Sequence, residues 1–157
     1  MKTKLVSAII IVFASSTMMQ SCKKDSKDEN NGETNISATG GHESHNMSQN
    51  CMNCHKKGGE GKGWFSVAGT VYDSLLTNTF QNVIVRLYTG PDGTGTLKST
   101  IYGDAKGNFF TTEAIDFGVG LYPSVQGIST TQFMSGIITN GQCNSCHGVT
   151  TDKIWTK

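Results

Sequence analysis

Two copies of one pentapeptide constrain this chain more than anything else in it. Cys51-Met52-Asn53-Cys54-His55 and Cys143-Asn144-Ser145-Cys146-His147 both read C-x-x-C-H. At that spacing two thiols reach the two vinyl groups of a haem, and the following His lies under the iron. The expectation is two covalent c-type haems. Cys51, Cys54, Cys143 and Cys146 would carry the thioethers, and His55 and His147 would be the proximal iron ligands. The rival for two C-x-x-C pairs is one zinc ribbon. A His directly after each pair and an export signal upstream both oppose it.

That signal is the first 21 residues. Lys2 and Lys4 precede an apolar run from Leu5 to Ala14, which is too short for a bilayer span of about 20 residues. Met19-Gln20-Ser21-Cys22 follows and is similar to a bacterial lipobox. The expectation is cleavage before Cys22 and lipidation there, giving an exported protein anchored to a bacterial membrane, in the periplasm or on the outer surface. An ordinary secretory signal with a stray Cys is the plainer alternative. Cys22 is also the one cysteine of five outside the motifs, so no pair remains for a structural disulfide. Without residues 1–21 the chain has eleven basic and twelve acidic residues, a net charge of −1. Nothing in that balance recruits nucleic acid.

Residues 22–41 are polar, with no aromatic residue, and are expected to form a flexible tether. Residues 42–64 form the first haem segment, in which Ser48 or Asn46 is expected to cap a short helix running to Lys57. Residues 65–128 change character. Val83, Val85 and Leu87 alternate with Ile84, Arg86 and Tyr88, and Leu97, Ser99 and Ile101 alternate with Lys98, Thr100 and Tyr102. Pro91-Asp92-Gly93 and Asp104-Ala105-Lys106-Gly107-Asn108 punctuate the runs. Period-2 patterning between such turns predicts a mainly β protein. The layout is a small antiparallel β-sandwich flanked by two short helix/loop segments for haem, the second spanning 129–157. Six strand candidates, an even count, would bring both haem segments to one pole.

Gly69-Thr70-Val71-Tyr72-Asp73, Asn82-Val83-Ile84-Val85, Asp104 to Phe109 and Gly120-Leu121-Tyr122 together resemble the carboxypeptidase regulatory-like family. That resemblance implies a transthyretin-like β-sandwich and carries no catalytic residues. Pro123 departs from it, since a Pro in a sheet belongs at an edge.

Distal ligands are found by elimination. Beyond the signal, the unassigned His and Met residues are His42, His45, Met47, Met52 and Met134. Met52 lies inside its own motif's turn and cannot reach the far face. Residues 148–157 contain neither His nor Met, so the second haem must draw its ligand from upstream. His42 precedes Cys51 by nine residues, and Met134 precedes Cys143 by nine. A solvated linker residue is the competing reading for His42 and His45, and a core side chain for Met134. Crossed ligation between segments is a further arrangement the inventory permits. A His-Asn shortly before the first motif, a β-domain, then Cys-Asn-Ser-Cys-His-Gly resembles small dihaem c-type cytochrome lipoproteins of Gram-negative bacteria. The resemblance favours His45 over His42 for the first haem, with Met134 for the second.

The functional expectation is single-electron transfer between redox partner proteins. Two alternatives differ in class. A dihaem peroxidase or reductase, or a small-ligand-binding haem protein, needs an open distal site. A β-sandwich binding or structural module would make haem secondary.

Overall fold

The computed structural model describes residues 33–157. The expected signal peptide, Cys22 and most of the tether lie outside them. The described chain is mainly β. Its strands are β1 (Val67–Tyr72), β2 (Ile84–Tyr88), β3 (Leu97–Tyr102), β4 (Asn108–Thr111), β5 (Tyr122–Gln126), β6 (Thr131–Phe133), β7 (Gly141–Gln142) and β8 (Ile154–Trp155). One sheet runs β3-β2-β5-β6. The other runs β4-β1-β7, with β8 also on β1. Among the described residues no helix is long and apolar enough to cross a membrane.

The two sheets share one core. Val67 and Val71 of β1 and Phe109 of β4 pack with Val85 and Leu87 of β2, Ile101 of β3 and Val125 of β5. Burial alternates along β2, because one face meets that core and the other does not. β1 is buried at all six positions. Its Val67 and Val71 face the core, while Ala68 joins Phe65 and Phe110 in a second cluster, against Cys51 and Met52. β4 makes the same division between Phe109 and Phe110. The β1–β4 pair is therefore a partition with apolar packing on both sides, and the first motif supplies the outer cover.

Several sequence expectations change here. The first segment has no α-helix. Cys51–Asn53 forms a single 3-10 turn, capped by Asn50, whose side chain accepts from the Met52 N–H at 3.2 Å. Asn46 and Ser48, the expected caps, both have positive φ, at 51° and 75°, in a turn that precedes the motif. The β architecture is not purely antiparallel either. β7 and β8 both run parallel to β1, pairing Val67 with Gly141 and Val71 with Ile154. The segment 129–157 is thus woven into the sheet rather than appended to it.

The end of the expected tether is docked as well. Ser37 is buried, and its hydroxyl bonds the Tyr102 and Phe110 carbonyls at 2.6 and 3.0 Å. Pro123 sits on the interior strand β5. Its carbonyl accepts from the Met134 N–H, so its nitrogen faces the flank where β6 ends at Phe133. The missing donor costs only the last rung of that ladder.

Candidate functional site

The two motifs fold as local twins. In each, the fourth residue's N–H bonds the first residue's carbonyl at 3.2 Å, and the His N–H bonds the same carbonyl at 3.0 Å. In each, the first Cys Sγ lies 3.6 Å from the carbonyl two residues earlier. Both His rings are held the same way. His55 Nδ1 lies 2.7 Å from the Lys62 carbonyl and 3.2 Å from that of Gly63. His147 Nδ1 lies 2.7 Å from the Asp152 carbonyl. A carbonyl only accepts, so Nδ1 must carry the proton and Nε2 keeps the lone pair. An imidazole that ligates a metal through Nε2 requires that tautomer, and the carbonyl partner fixes it.

Loop chemistry explains how the first ring is clamped. After His55 the chain doubles back, with Gly61 N–H bonding the Cys54 carbonyl and Phe65 N–H the His55 carbonyl. This brings Gly61 against one face of the imidazole, where a Cβ would come within 2.8 Å of the ring. Phe65 stacks against the ring with centroids 4.1 Å apart, and Phe110 stacks on Phe65 at 4.8 Å. Glycine is required at Gly61 because the ring leaves no room for a side chain.

His45 lies beside this assembly, its ring centroid 6.1 Å from that of His55. Two metal–nitrogen bonds of about 2 Å each, with about 1 Å from each nitrogen to its ring centre, separate two axial imidazoles by about 6 Å. The centroid spacing matches that distance. Both rings line a small cavity with Asn35, Cys51, Cys54, Phe65 and Phe110. His42 is exposed and does not line it, so equal spacing from the motifs does not select the ligand. Met47 is 42% exposed, and Met52 packs on the cluster of Phe65, Ala68 and Phe110.

The second motif opens on a larger space. A cavity of about 600 Å³ lies between the sheets, where Val67, Leu87, Phe109 and Val125 meet the C-terminal segment. Cys143, Cys146, His147 and Met134 all line it. His147 is the one histidine on that wall. The first motif thus packs on the outer face of the β1–β4 partition and the second motif faces inward. Gly69 is the thin point between them. A Cβ there would come within 2.5 Å of the Phe109 ring and 3.0 Å of the Cys143 Cβ.

The thiols differ in setting. Burial pushes the Cys143 pKa up to about 12 although part of the residue borders the cavity, and the nearby Cys51 and Cys146 add to the rise. Burial also raises Cys51, with Asp104 contributing. Both therefore stay neutral thiols near pH 7. Cys51, Cys143 and Cys146 are unbridged. Cys54 is disulfide-bonded, against the expectation that no structural disulfide forms, and a thioether at Cys54 requires that bond to be reduced. Among the described residues no three His, Cys, Asp or Glu side chains gather as a metal cluster.

The motif segments are tied to each other, but strand parity does not account for it: among the described residues seven strands lie between the motifs, and the last of them pairs parallel with β1. Asn50 Nδ2 donates to Gln142 Oε1 at 3.1 Å, and Asn144 Nδ2 donates to the Gln49 carbonyl at 2.9 Å. Sequence reasoning passed over Asn50, Thr70, Asn108 and Asn144. Asn50 had a usable signal, as a capping residue next to the motif. The others bond to partners far away in the chain, and nothing local marks them. No protein-family model, curated protein or solved structure matches this chain.

Proposed function

We propose that this chain is an exported, lipid-anchored dihaem cytochrome c that passes single electrons between redox partner proteins. The observation that carries the proposal is the twinned geometry of the two motifs: each His is bonded through Nδ1 to a backbone carbonyl, with Nε2 left for a metal. When bound, haem supplies a one-electron iron couple, and the protein sets its ligation and surroundings. His55 and His147 would be the proximal ligands. The four motif cysteines would hold the porphyrins. The 6.1 Å ring spacing supports His45 as the second ligand at the first site, and the shared cavity wall supports Met134 at the second. A β-sandwich scaffold is consistent with the two sheets and their common core. Bis-His ligation gives lower potentials than His/Met ligation, so the first site would hold the stronger reductant. Lipidation at Cys22, with the membrane as the anchor's partner, rests on the lipobox-like Met19-Gln20-Ser21-Cys22.

A potentiometric titration of the matured protein, followed optically, tests the carrier role. Two separate one-electron waves from low-spin haems are expected. A high-spin haem that turns over peroxide would move the protein to the enzyme class, and a single wave from one haem would break the two-site reading.

A further inference from the structure

A chain of buried polar side chains runs along the outer face of the β1–β4 pair and joins the His45 loop to the second motif. Its centre is Thr70, which is 1% exposed. The Thr70 hydroxyl donates to Asn108 Oδ1 at 2.6 Å and accepts from Asn144 Nδ2 and the Ser48 N–H, each at 3.0 Å. A hydroxyl has one hydrogen and two lone pairs, so it is fully used. Asn144, 4% exposed, has both amide hydrogens committed. Its Oδ1 accepts from the Thr70 N–H at 3.0 Å, and its two amide hydrogens go to Gln49 and Thr70. Asn108, 1% exposed, donates from Nδ2 to Ser44 Oγ at 3.0 Å and to the His45 carbonyl at 3.4 Å.

The hydrogen directions are forced. The Gln49 and His45 carbonyls accept only, so each amide's nitrogen end faces them. Asn144 Nδ2 donates to Thr70, which commits the Thr70 hydrogen to Asn108. Reversing any one bond would bring two donors or two acceptors face to face in a buried setting, at a cost of a few kcal/mol. The chain is therefore one unit with a single arrangement. One end is the backbone of His45, and the other is the residue after Cys143.

We infer that Thr70 is a positioning residue shared by both sites. Through Asn108 and Ser48 it holds His45 opposite His55, and through Asn144 it holds the second motif. A change inside the second motif is then felt as a change in ligation at the first. The inference rests on the dihaem reading above and deepens it.

The test uses the full-length matured protein and its Thr70→Val, Thr70→Ser and Asn144→Ala variants. Covalent haem is counted first. Electron paramagnetic resonance then follows bis-His iron at the first site, and the near-infrared Met–iron band follows the second. Thr70→Val keeps the shape and removes the hydroxyl. It is expected to lower the ratio of bis-His to five-coordinate iron at the first site about tenfold, the lower end of what loss of a partner bonded directly to a ligand costs. Thr70→Ser restores the hydroxyl and should restore the ratio. Asn144→Ala should lower the ratio as well, although Asn144 belongs to the other motif, and it decides the matter if Thr70→Val does not accumulate. Two covalent haems with an unchanged bis-His signal in Thr70→Val or Asn144→Ala would overturn the inference and leave the dihaem reading standing. A wild-type protein with two haems and no bis-His signal would overturn it too. Absence of covalent haem in the wild type would bring down the reading on which it rests.

Discussion

At the residue scale, ligand choice depends on what holds a side chain in place. His42 and His45 are both exposed and three positions apart; Gly41 before His42 bonds Ala38 and Ala105 through its backbone, while His45 follows a buried serine and lines the cavity beside His55. Ser44 is buried, and its carbonyl accepts from Lys106 Nζ at 2.7 Å while its hydroxyl meets Asn108. The His45 ring thus stands on an anchored backbone. In the dihaem reading, His45→Ala should leave the first iron five-coordinate, high-spin and open to carbon monoxide, while His42→Ala keeps the wild-type spectrum. Met134→Leu should abolish the near-infrared band without touching the first site. An optical spectrum of each purified variant decides, and a high-spin His42→Ala with a normal His45→Ala would reverse the assignment. The motif residues were legible in the sequence because their chemistry lies in local spacing, whereas His45 was favoured over His42 only through the resemblance. Thr70 and Asn144 were not. A buried polar residue acquires its meaning from its partner, and these two meet across 74 positions of chain.

At the scale of elements, β1 organises both sites. Strands β2 and β3 were readable from alternation because each presents a single face to the core. The run Val67-Ala68-Gly69-Thr70-Val71-Tyr72 did not show its central place, since a strand covered on both faces loses the period-2 signature. Strands β7 and β8 are two residues each and exist only because the second motif returns to the edge of β1 on either side of its turn. No local pattern foretells such pairings. The expected helix to Lys57 is replaced by a single 3-10 turn, and the backbone before it is non-helical, with Asn46 and Ser48 both at positive φ. Gly69 permits the partition to be thin. Gly69→Ala should force the Phe109 ring and Cys143 apart, costing about 1–3 kcal/mol as overpacking does. Urea unfolding would measure it, and a midpoint within error of wild type would show that the neighbours yield freely.

At the scale of the whole molecule, the β framework holds two chemically alike turns on opposite sides of one strand pair. Both sheets contribute to the inner cavity, while the outer site needs only β1, β4 and the docked segment before the first motif. Such an arrangement suits two cofactors in one small unit, separated by protein yet rigidly related. Sequence reasoning expected both motif segments at one pole of the β domain, whereas they pack on opposite faces of the β1–β4 pair. It could not tell which faces the motifs would take, because facing follows from the return of β7 and β8 to β1. The most direct measurement is the intact mass of the full-length protein matured in a host with a cytochrome c assembly system, taken after denaturation so that only covalent haem remains. The dihaem account predicts the polypeptide mass plus two haems, with one haem lost in Cys51→Ala/Cys54→Ala and the other in Cys143→Ala/Cys146→Ala. The bare polypeptide mass, with haem released on denaturation or never bound, would contradict it.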